Sequence, residues 1–432
     1  MIADDYGNPL TTTSSAARDA YVAGYRLLFM TGPEADTEFA RATEADPRFA
    51  VAYLGTAQVA AMRGDVSAVQ ASLAAAKAAA VRLSNREESH LGFFEKMFAG
   101  QIGTALEAAC THLNAWPRDA AVFNVYGPIL GLISSEGAPG SKRRQAEVMD
   151  AFVQHYGDDW WFDAHRAMAL IEVGRFDEAH SLTEHALDSE PRNPWAVHSR
   201  AHIAYETGEP EGARDLIQAF LAAAPRESAL WGHLAWHHAL AELHAGNYEA
   251  AWARFEADVG PEAHPGMARN KVHDAVQFLW RWELAGHPHD PDRWRKLDAL
   301  ARVVLPKATI SFHEIHVSLA GAIAGSDAAV AERLLQMDEM EQAARYPAGG
   351  VPQAIARGLA RYARGDRAGA IAVLAPLLPE LERVGAASRA QLDMIEFTVL
   401  RACAELGRHD ELHNLLARRR KGPGPVPVAG VH

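Results

Sequence analysis

The 432-residue sequence predicts an all-α fold, a right-handed superhelix (solenoid) of about eleven helical hairpins without β-strands. Two observations indicate this fold. An apolar helical segment, a turn centred on glycine and a second segment rich in Ala and Leu recur along the whole chain. The turn glycines also keep a nearly constant spacing, which is the signature of stacked repeats.

These glycines share one position, between two helical segments, where a residue at positive φ ends the first helix at little steric cost. Successive members are 32 to 42 residues apart. This spacing is close to the length of a tetratricopeptide repeat, about 34 residues, so each glycine should mark one helix–turn–helix unit. The predicted turn glycines are Gly32, Gly64, Gly100, Gly137, Gly174, Gly208, Gly246, Gly286, Gly325, Gly365 and Gly407.

Prolines mark the ends of the hairpins, because the residue before a proline is biased away from helical geometry. We predict such ends at Asp46-Pro47, Trp116-Pro117, Glu190-Pro191 and Ala224-Pro225. The repeats should form a single solenoid domain over residues 1–420. Residues 421–432 are rich in Pro and Gly and are expected to form a disordered tail.

Composition excludes several classes of function. A formal net charge of -13 argues against nucleic acid as a partner, because phosphate binding needs clustered Lys and Arg. No apolar run approaches the ~20 residues needed to cross a bilayer, and the first residues are acidic where a signal peptide is basic. Cys110 and Cys403 lie far apart and are expected to be buried thiols. These features predict a cytoplasmic protein that contacts no membrane.

Two consecutive first helices each carry a His-x-x-x-His pair, His198/His202 and His233/His237. An i, i+4 spacing places both members of a pair on one helix face. The pairs are 35 residues apart, about one repeat, so stacking should bring the four imidazoles to one surface. They form the only dense polar constellation that the sequence shows.

The first helices of such hairpins line the inner, concave surface of a solenoid. Asp274 and His316 lie at comparable distances before their own turn glycines, so they should face the same groove. Tryptophans, including Trp236, crowd the middle hairpins and could form apolar walls, although aromatic residues at helical spacing are usually core. The sequence therefore predicts a concave pocket lined by His, Asp and Trp.

Two functions from different classes fit this pocket. The first is a binding module that takes a peptide or a small polar ligand. The second is an enzyme, a hydrolase or lyase, which uses either a metal or a His/Asp acid–base pair. A divalent ion such as zinc would be held by His198, His202, His233 and His237. A third interpretation is that a chain with 21 histidines places some of them together by chance. An open trough would favour a binding module that reads a peptide, whereas a groove closed into a pocket around convergent histidines would favour an enzyme.

Several stretches resemble the tetratricopeptide repeat protein 38 family, whose members occur in animals and bacteria. They are Trp195-Ala-Val-His-Ser-Arg-Ala-His-Ile, Gly232-His-Leu-Ala-Trp-His-His-Ala-Leu, Glu314-Ile-His and Ser388-Arg-Ala-Gln-Leu-Asp. The resemblance extends from the first repeats to about Leu416, although Tyr205 occupies what looks like an acidic position of the family. It implies a repeat fold and a polar cluster, but no settled reaction. The residues it implies are His198, His202, His233, Trp236, His237, Asp274, His316, Gln391 and Asp393.

Overall fold

A computed structural model shows the chain as a coil of short antiparallel helices. It describes residues 2–263, 267–343, 345–346, 349–419 and 426–431. Within these ranges every regular element is a helix, and the one β contact is an isolated antiparallel bridge between Ala3 and Pro9. The all-α prediction is confirmed. The right-handed sense of the superhelix stays a prediction.

The helices follow one another through short connections. Two helices continue into a different helical form. A π-helical turn over Phe255–Val259 follows the helix Tyr248–Arg254, and a 3₁₀ segment over Ala375–Val384 follows the helix Arg367–Leu374. The α-helices are α1 Ser15–Phe29, α2 Ala35–Ala45, α3 Ala50–Arg63, α4 Val66–Ala79, α5 Asn85–Phe98, α6 Ile102–Ala115, α7 Ala120–Tyr126, α8 Leu132–Ser135, α9 Ser141–Tyr156, α10 Trp160–Glu172, α11 Phe176–Ser189, α12 Pro194–Thr207, α13 Pro210–Ala223, α14 Trp231–His244, α15 Tyr248–Arg254, α16 Ala268–Leu284, α17 Pro291–Val304, α18 Ser311–Ile323, α19 Asp327–Gln342, α20 Val351–Ala363, α21 Arg367–Leu374, α22 Arg389–Glu405 and α23 His409–Arg418.

These helices pair as hairpins in the predicted order, from α1 with α2 to α22 with α23. The fourth hairpin is irregular because the short helix α8 lies between α7 and α9. Counted this way, the described part of the chain contains eleven hairpins. All the predicted turn glycines except Gly32 have φ between 61° and 97°, the region that favours glycine.

The turn prediction is wrong at Gly32. The residue at positive φ is Thr31, with φ 55°. Its hydroxyl lies 2.8 Å from Ser228 Oγ, and its carbonyl accepts a hydrogen bond from the Ala229 amide at 3.0 Å. A conformation that a β-branched residue rarely adopts is thus held by a hairpin 197 residues away in the sequence.

The predicted proline boundaries are confirmed. In each case the preceding helix ends two residues before the proline, so the pre-proline residue itself lies outside the helix. The last helical residues are Ala45, Ala115, Ser189 and Ala223.

The coil is tight enough for hairpins that are distant in sequence to touch. Arg269 on α16 donates hydrogen bonds to the carbonyls of Ala61 and Met62 at the end of α3, at 2.9 and 3.0 Å. Lys142 on α9 donates to the Ala387 carbonyl at 2.5 Å, just before α22. The amino-terminal hairpins therefore close over the middle and carboxyl-terminal ones.

This closure buries the first helices of the middle hairpins on nearly all sides. On α14, α16 and α18 most residues are buried, and they include polar residues such as His237, Asp274 and Glu314. Two large apolar clusters form the core, one over residues 10–203 and one over residues 197–431. They meet on α12, which gives Ile203 to the first and Val197 to the second.

Residues 426–431 do not behave as the expected disordered tail. Val426, Val428 and Val431 are buried in the second apolar cluster. The Ala429 amide donates to the Leu284 carbonyl at 2.9 Å, and Arg401 Nη1 donates to the Ala429 carbonyl at 2.6 Å. Apolar side chains at alternate positions give this Pro- and Gly-rich segment enough buried surface to be ordered. Residues 421–425 and 432, the rest of the predicted tail, lie outside the described residues, and the single domain over 1–420 stays a prediction.

The cysteine prediction is only half right. Cys403 is a buried free thiol on α22, but Cys110 is exposed on α6, because its position on that helix faces away from the core. No helix among the described residues has both the length and the apolar character that a membrane crossing requires.

Candidate functional site

The four histidines of the two His-x-x-x-His pairs meet between α12 and α14. His198 Nε2 and His202 Nε2 are 3.1 Å apart. The ring of His237 has its centroid 5.0 Å from that of His198 and 4.6 Å from that of His202. The His233 ring lies 5.1 Å from His198 and 4.8 Å from His237. We call these residues the four-histidine centre.

Local sequence explains the register of this centre. The side chain of Asn193 caps α12 by accepting hydrogen bonds from the amides of Trp195 and Ala196, and Pro194 occupies the first turn. Gly208, with φ 77°, ends the helix. The two histidines between these signals therefore have a fixed position, one turn apart on a single face.

The four-histidine centre is buried. The exposed fraction is 8% for His233 and 4% or less for the other three residues. Burial lowers the pKa of His198 and of His237 well below the usual value, and the neighbouring imidazoles lower it further. These two imidazoles are therefore neutral at neutral pH, and neutral imidazole is the form that binds metals.

Asp274 orients one member of the centre. His233 Nδ1 lies 3.0 Å from both carboxylate oxygens of Asp274, so its N–H donates to the carboxylate and Nε2 keeps the free lone pair. Burial raises the pKa of Asp274, although His233 partly offsets this effect. The predicted contact between Asp274 on α16 and the histidines is present.

Trp236 forms a wall of the centre. It is fully buried, stacks on the His233 ring at 5.0 Å and meets the His237 ring edge-on at 4.7 Å. Its indole Nε1 has no hydrogen-bond partner among the described residues. The ring therefore acts as an apolar surface that fixes the orientation of two imidazoles.

Three members of the centre could share a metal ion. His198, His202 and His237 each offer one nitrogen, and these atoms all lie within 4.8 Å of one another. Two buried nitrogens, His198 Nδ1 and His237 Nε2, have no hydrogen-bond partner among the described residues. His233 lies directly beside this trio, as the ring distances above show.

His316 belongs to an adjoining group rather than to the four-histidine centre. Its Nδ1–H donates to the Phe312 carbonyl at 2.7 Å, and its ring lies 5.5 Å from that of His273. His273 in turn stacks on His313 at 4.4 Å. Burial lowers the pKa of His316 to about 4. The structure thus brings Asp274 and the four histidines together, whereas the described contacts of His316 are with its own group. That these residues line one concave pocket stays a prediction.

The structure gives Gln391 and Asp393 other partners. Gln391 forms a capping box with Ser388 at the start of α22, in which each side chain bonds the other backbone amide at 3.0 to 3.3 Å. Asp393 accepts a hydrogen bond at 2.7 Å from the hydroxyl of Tyr205, one turn beyond His202. Arg281 on α16 approaches the same hydroxyl at 3.3 Å. Asp393 thus ties α22 to the histidine-bearing helix from outside the centre.

The centre is enclosed instead of lying at the bottom of an open groove. A small surface pocket with room for about one water molecule reaches His233 and Asp274. Asn270, Lys271 and Asp258 are at its edge. The low exposure of the four histidines, 8% or less, shows that the described residues around them enclose the centre.

Sequence reasoning missed a second polar cluster in the amino-terminal hairpins. The Asp119 carboxylate accepts from Arg86 at 2.5 Å and contacts His90 and His112 at 2.9 and 3.2 Å. All four residues are buried. Burial alone would raise the pKa of Asp119, but the contacts with His90, His112 and Arg86 outweigh it and hold this pKa well below its usual range. The guanidinium already neutralises the carboxylate, which makes this cluster a charge network of the core. Its sequence signal is weak, because the residues follow no shared repeat offset.

A larger cavity, of about 140 Å³, lies on the amino-terminal hairpins and not at the four-histidine centre. Its walls include the aromatic rings of Tyr6, Tyr25 and Trp160 and the carboxylates of Asp4 and Asp159. Burial raises the pKa of both carboxyl groups. No pattern in the sequence singled out this cavity, because its walls come from two distant segments, residues 4–29 and 118–160.

Comparison with known proteins supports the repeat assignment. Residues 170–236 match the family model described as tetratricopeptide repeat. This stretch includes α12 and the first turn of α14, and so it carries three members of the four-histidine centre. The more specific likeness to the tetratricopeptide repeat protein 38 family stays a prediction.

Three solved structures show loose similarity. A tetratricopeptide repeat protein from Parabacteroides merdae ATCC 43184 is 12% identical, with 72% of this chain and 98% of that chain covered and a TM-score of 0.32. The P58(IPK) TPR domain is also 12% identical, with coverages of 91% and 99% and a TM-score of 0.21. The structure of Naa15/Naa10 bound to HypK-THB contains a chain 13% identical, with coverages of 96% and 64% and a TM-score of 0.25.

These structural likenesses are too loose to carry a functional argument. The repeat assignment does not need these structures. The match on residues 170–236 and the hairpins seen along the described chain both indicate helical repeats. The chain is an all-helical protein of stacked hairpins that matches the tetratricopeptide repeat model over residues 170–236.

Proposed function

We propose that this tetratricopeptide-repeat protein is a binding module that encloses one small polar ligand at the four-histidine centre. The observation that carries the proposal is the convergence of four buried imidazoles, among which His237 Nε2 has no hydrogen-bond partner within the described residues. A buried polar group costs about 1–3 kcal/mol when it lacks a partner. A ligand between these imidazoles would supply the missing partner of His237 Nε2.

Enclosure decides the size of this ligand. The centre is at most 8% exposed, and the pocket beside His233 holds about one water molecule. A peptide would need an extended groove, as in helical-repeat proteins that use a concave surface. This enclosure supports the small polar ligand over the peptide as the occupant that we propose.

The outer surface supports a second expectation. Tetratricopeptide-repeat proteins generally bind protein partners, so a partner protein would contact the exposed second helices of the hairpins, leaving the centre untouched. The hydrolase or lyase alternative depends on the same His233–Asp274 pair and stays a prediction.

Native mass spectrometry of the untagged full chain tests the proposal. The native mass should exceed the denatured mass by one small ligand, and His237→Gln, which keeps a polar side chain of similar length, should abolish this excess. The control is His180→Ala, because His180 is exposed on α11. Melting curves check that the variants are folded. Equal native and denatured masses, or an excess that His237→Gln leaves in place, would refute the proposal.

A further inference from the structure

We infer that the ligand of the four-histidine centre is a divalent transition-metal ion, bound by His198, His202 and His237, with His233 positioned beside them by Asp274. This inference rests on the proposed function, since it names the chemical class of the ligand. Four arguments support it, from the donor atoms, their spacing, the orientation of His233 and the charge of the site.

The donor atoms are imidazole nitrogens, and the rings of His198 and His237 are neutral for the reason given above. Imidazole suits zinc, copper, nickel and cobalt, whereas calcium and magnesium prefer oxygen ligands. Asp274, a carboxylate that contacts the centre, is already bonded to His233 Nδ1. The donor set therefore favours a nitrogen-preferring transition metal.

The spacing of the nitrogens is compatible with one ion. In a tetrahedral site with metal–nitrogen distances of about 2.0–2.1 Å, neighbouring nitrogens are about 3.3 Å apart. His198 Nε2 and His202 Nε2 are 3.1 Å apart. One nitrogen from each of His198, His202 and His237 also lies within 4.8 Å of the other two. A small movement of the His237 side chain would complete a three-nitrogen site.

The contact between His233 and Asp274 has the form of a carboxylate–histidine pair at a metal site. A ligating histidine usually donates its second N–H to a carboxylate, which fixes the tautomer and the direction of the ring. Here Asp274 binds the Nδ1–H of His233, and the ring lies within 5.1 Å of His198 and 4.8 Å of His237. His233 Nε2 is thus available as the fourth ligand, and Asp274 acts as a positioning residue.

Charge also favours a cation at this position. A dipositive ion would compensate the buried Asp274 carboxylate, whose pKa burial raises. The guanidinium of Arg281, on the same helix as Asp274, is directed to Tyr205 and the Ala390 carbonyl. The Asp119 cluster differs on this point, because Arg86 contacts its carboxylate directly.

The inference is tested with cobalt(II), whose visible absorption reports the coordination geometry. The untagged full chain is treated with a chelator, dialysed and titrated with cobalt(II). We expect one equivalent to bind with the intense visible bands of a tetrahedral nitrogen site, and zinc to displace it. His202→Ala and His237→Gln should abolish the bands, and His180→Ala should leave them unchanged.

Asp274→Asn separates positioning from a merely structural role. It should keep the tetrahedral spectrum but weaken cobalt binding by about 10- to 100-fold, because the amide still accepts a hydrogen bond but carries no charge. An unchanged affinity, or binding lost in His112→Gln instead of His237→Gln, would overturn the assignment. If cobalt fails to bind while native mass spectrometry shows another retained molecule, the metal is wrong and the proposed function stands. If neither ligand is found, both fail.

Discussion

At the scale of single residues, the turn glycines show what a local pattern can encode. Gly208 and Gly246 have φ of 77° and 78°, and a Cβ added at either would meet no other atom within 4 Å. The need for glycine at these positions is therefore a matter of backbone conformation alone. Thr31 shows what a local pattern does not encode. Its positive φ depends on a contact with Ser228, which is 197 residues away and cannot be inferred from the residues around Thr31.

This distinction predicts the effect of valine at the turns. Gly208→Val and Gly246→Val should each lower the free energy of unfolding by about 1 kcal/mol or more, because a β-branched residue is strained at positive φ. Gly212→Val on the exposed face of α13 is a useful comparison, since it adds helix propensity and lies in open space. Chemical denaturation measures all three. Equal stability of the two turn variants and the wild type would show that strain is not what selects glycine there.

The buried imidazoles predict sensitivity to acid. Burial lowers the pKa of His316 to about 4, and those of His165 and His313 to about 3, from the ordinary 6.5. These histidines therefore become protonated near pH 6.5 in the unfolded chain but stay neutral at that pH in the folded chain. Stability is fully present above about pH 6.5 and is lost as the pH falls toward 4, by up to about 3 kcal/mol for each group. The raised pKa of Asp274 has the opposite sign, since its contribution lowers stability as the pH rises above 3.8.

Melting temperatures between about pH 8 and pH 5, measured with chelator present, test this sensitivity. We expect a continuous fall below about pH 6.5, and a shallower fall in His316→Gln, which removes one of the titrating groups. A melting temperature that stays constant down to about pH 5 would contradict the burial of these imidazoles.

At the scale of elements, α12 links the centre to the closing helix. Its face carries His198, His202 and then Tyr205, whose hydroxyl donates to Asp393 on α22. The sequence pattern that suggested Gln391 and Asp393 as site residues therefore has a structural explanation. Gln391 begins α22 through its capping box, and Asp393 fixes that helix against α12.

The segment 426–431 is a second element whose role follows from its contacts. Removing residues 426–432 should lower the free energy of unfolding by roughly 1–2 kcal/mol, because three buried valines outweigh the entropy of ordering a short segment. Val428→Asp should have a similar effect, since Val428 is 2% exposed. Val303→Asp is the matched control, because Val303 is 79% exposed. A deletion variant as stable as the full chain would show that the segment does not pack in solution.

At the scale of the whole molecule, stability is shared between hairpins that are far apart. A solenoid buries each hairpin against its neighbours. In this chain the coil also closes, through contacts such as Arg269 with the end of α3 and Lys142 with Ala387. The second apolar cluster runs from Val197 to Val431, so the carboxyl-terminal hairpins complete the surroundings of the centre.

Truncation tests this shared stability. A chain that ends at Leu300 loses α18 to α23 and exposes the apolar faces of α14 and α16, so it should be insoluble or lack a cooperative melting transition. Circular dichroism melting and size-exclusion chromatography of the fragment provide the measurement. A soluble fragment with one sharp transition would argue for an independent domain instead of one continuous coil.

The sequence by itself determined the repeats and the register of the histidines. Helical periodicity, glycine at positive φ and the residue before proline are properties of a few neighbouring residues, and an i, i+4 pair on successive hairpins fixes a common face. The convergence of His198, His202, His233 and His237 with Asp274 was therefore foreseeable.

Only the tertiary structure decided whether this face was open or enclosed. The curvature of the coil is the sum of packing angles between successive hairpins, and small differences at each interface accumulate over the repeats. The resulting curvature determines which distant hairpins touch. It decides the contact between Thr31 and Ser228, and it decides the burial of the imidazoles and of Val428. The separate group around His316 depends on it as well. None of these depends on residues close together in the chain, so no local pattern could reveal them.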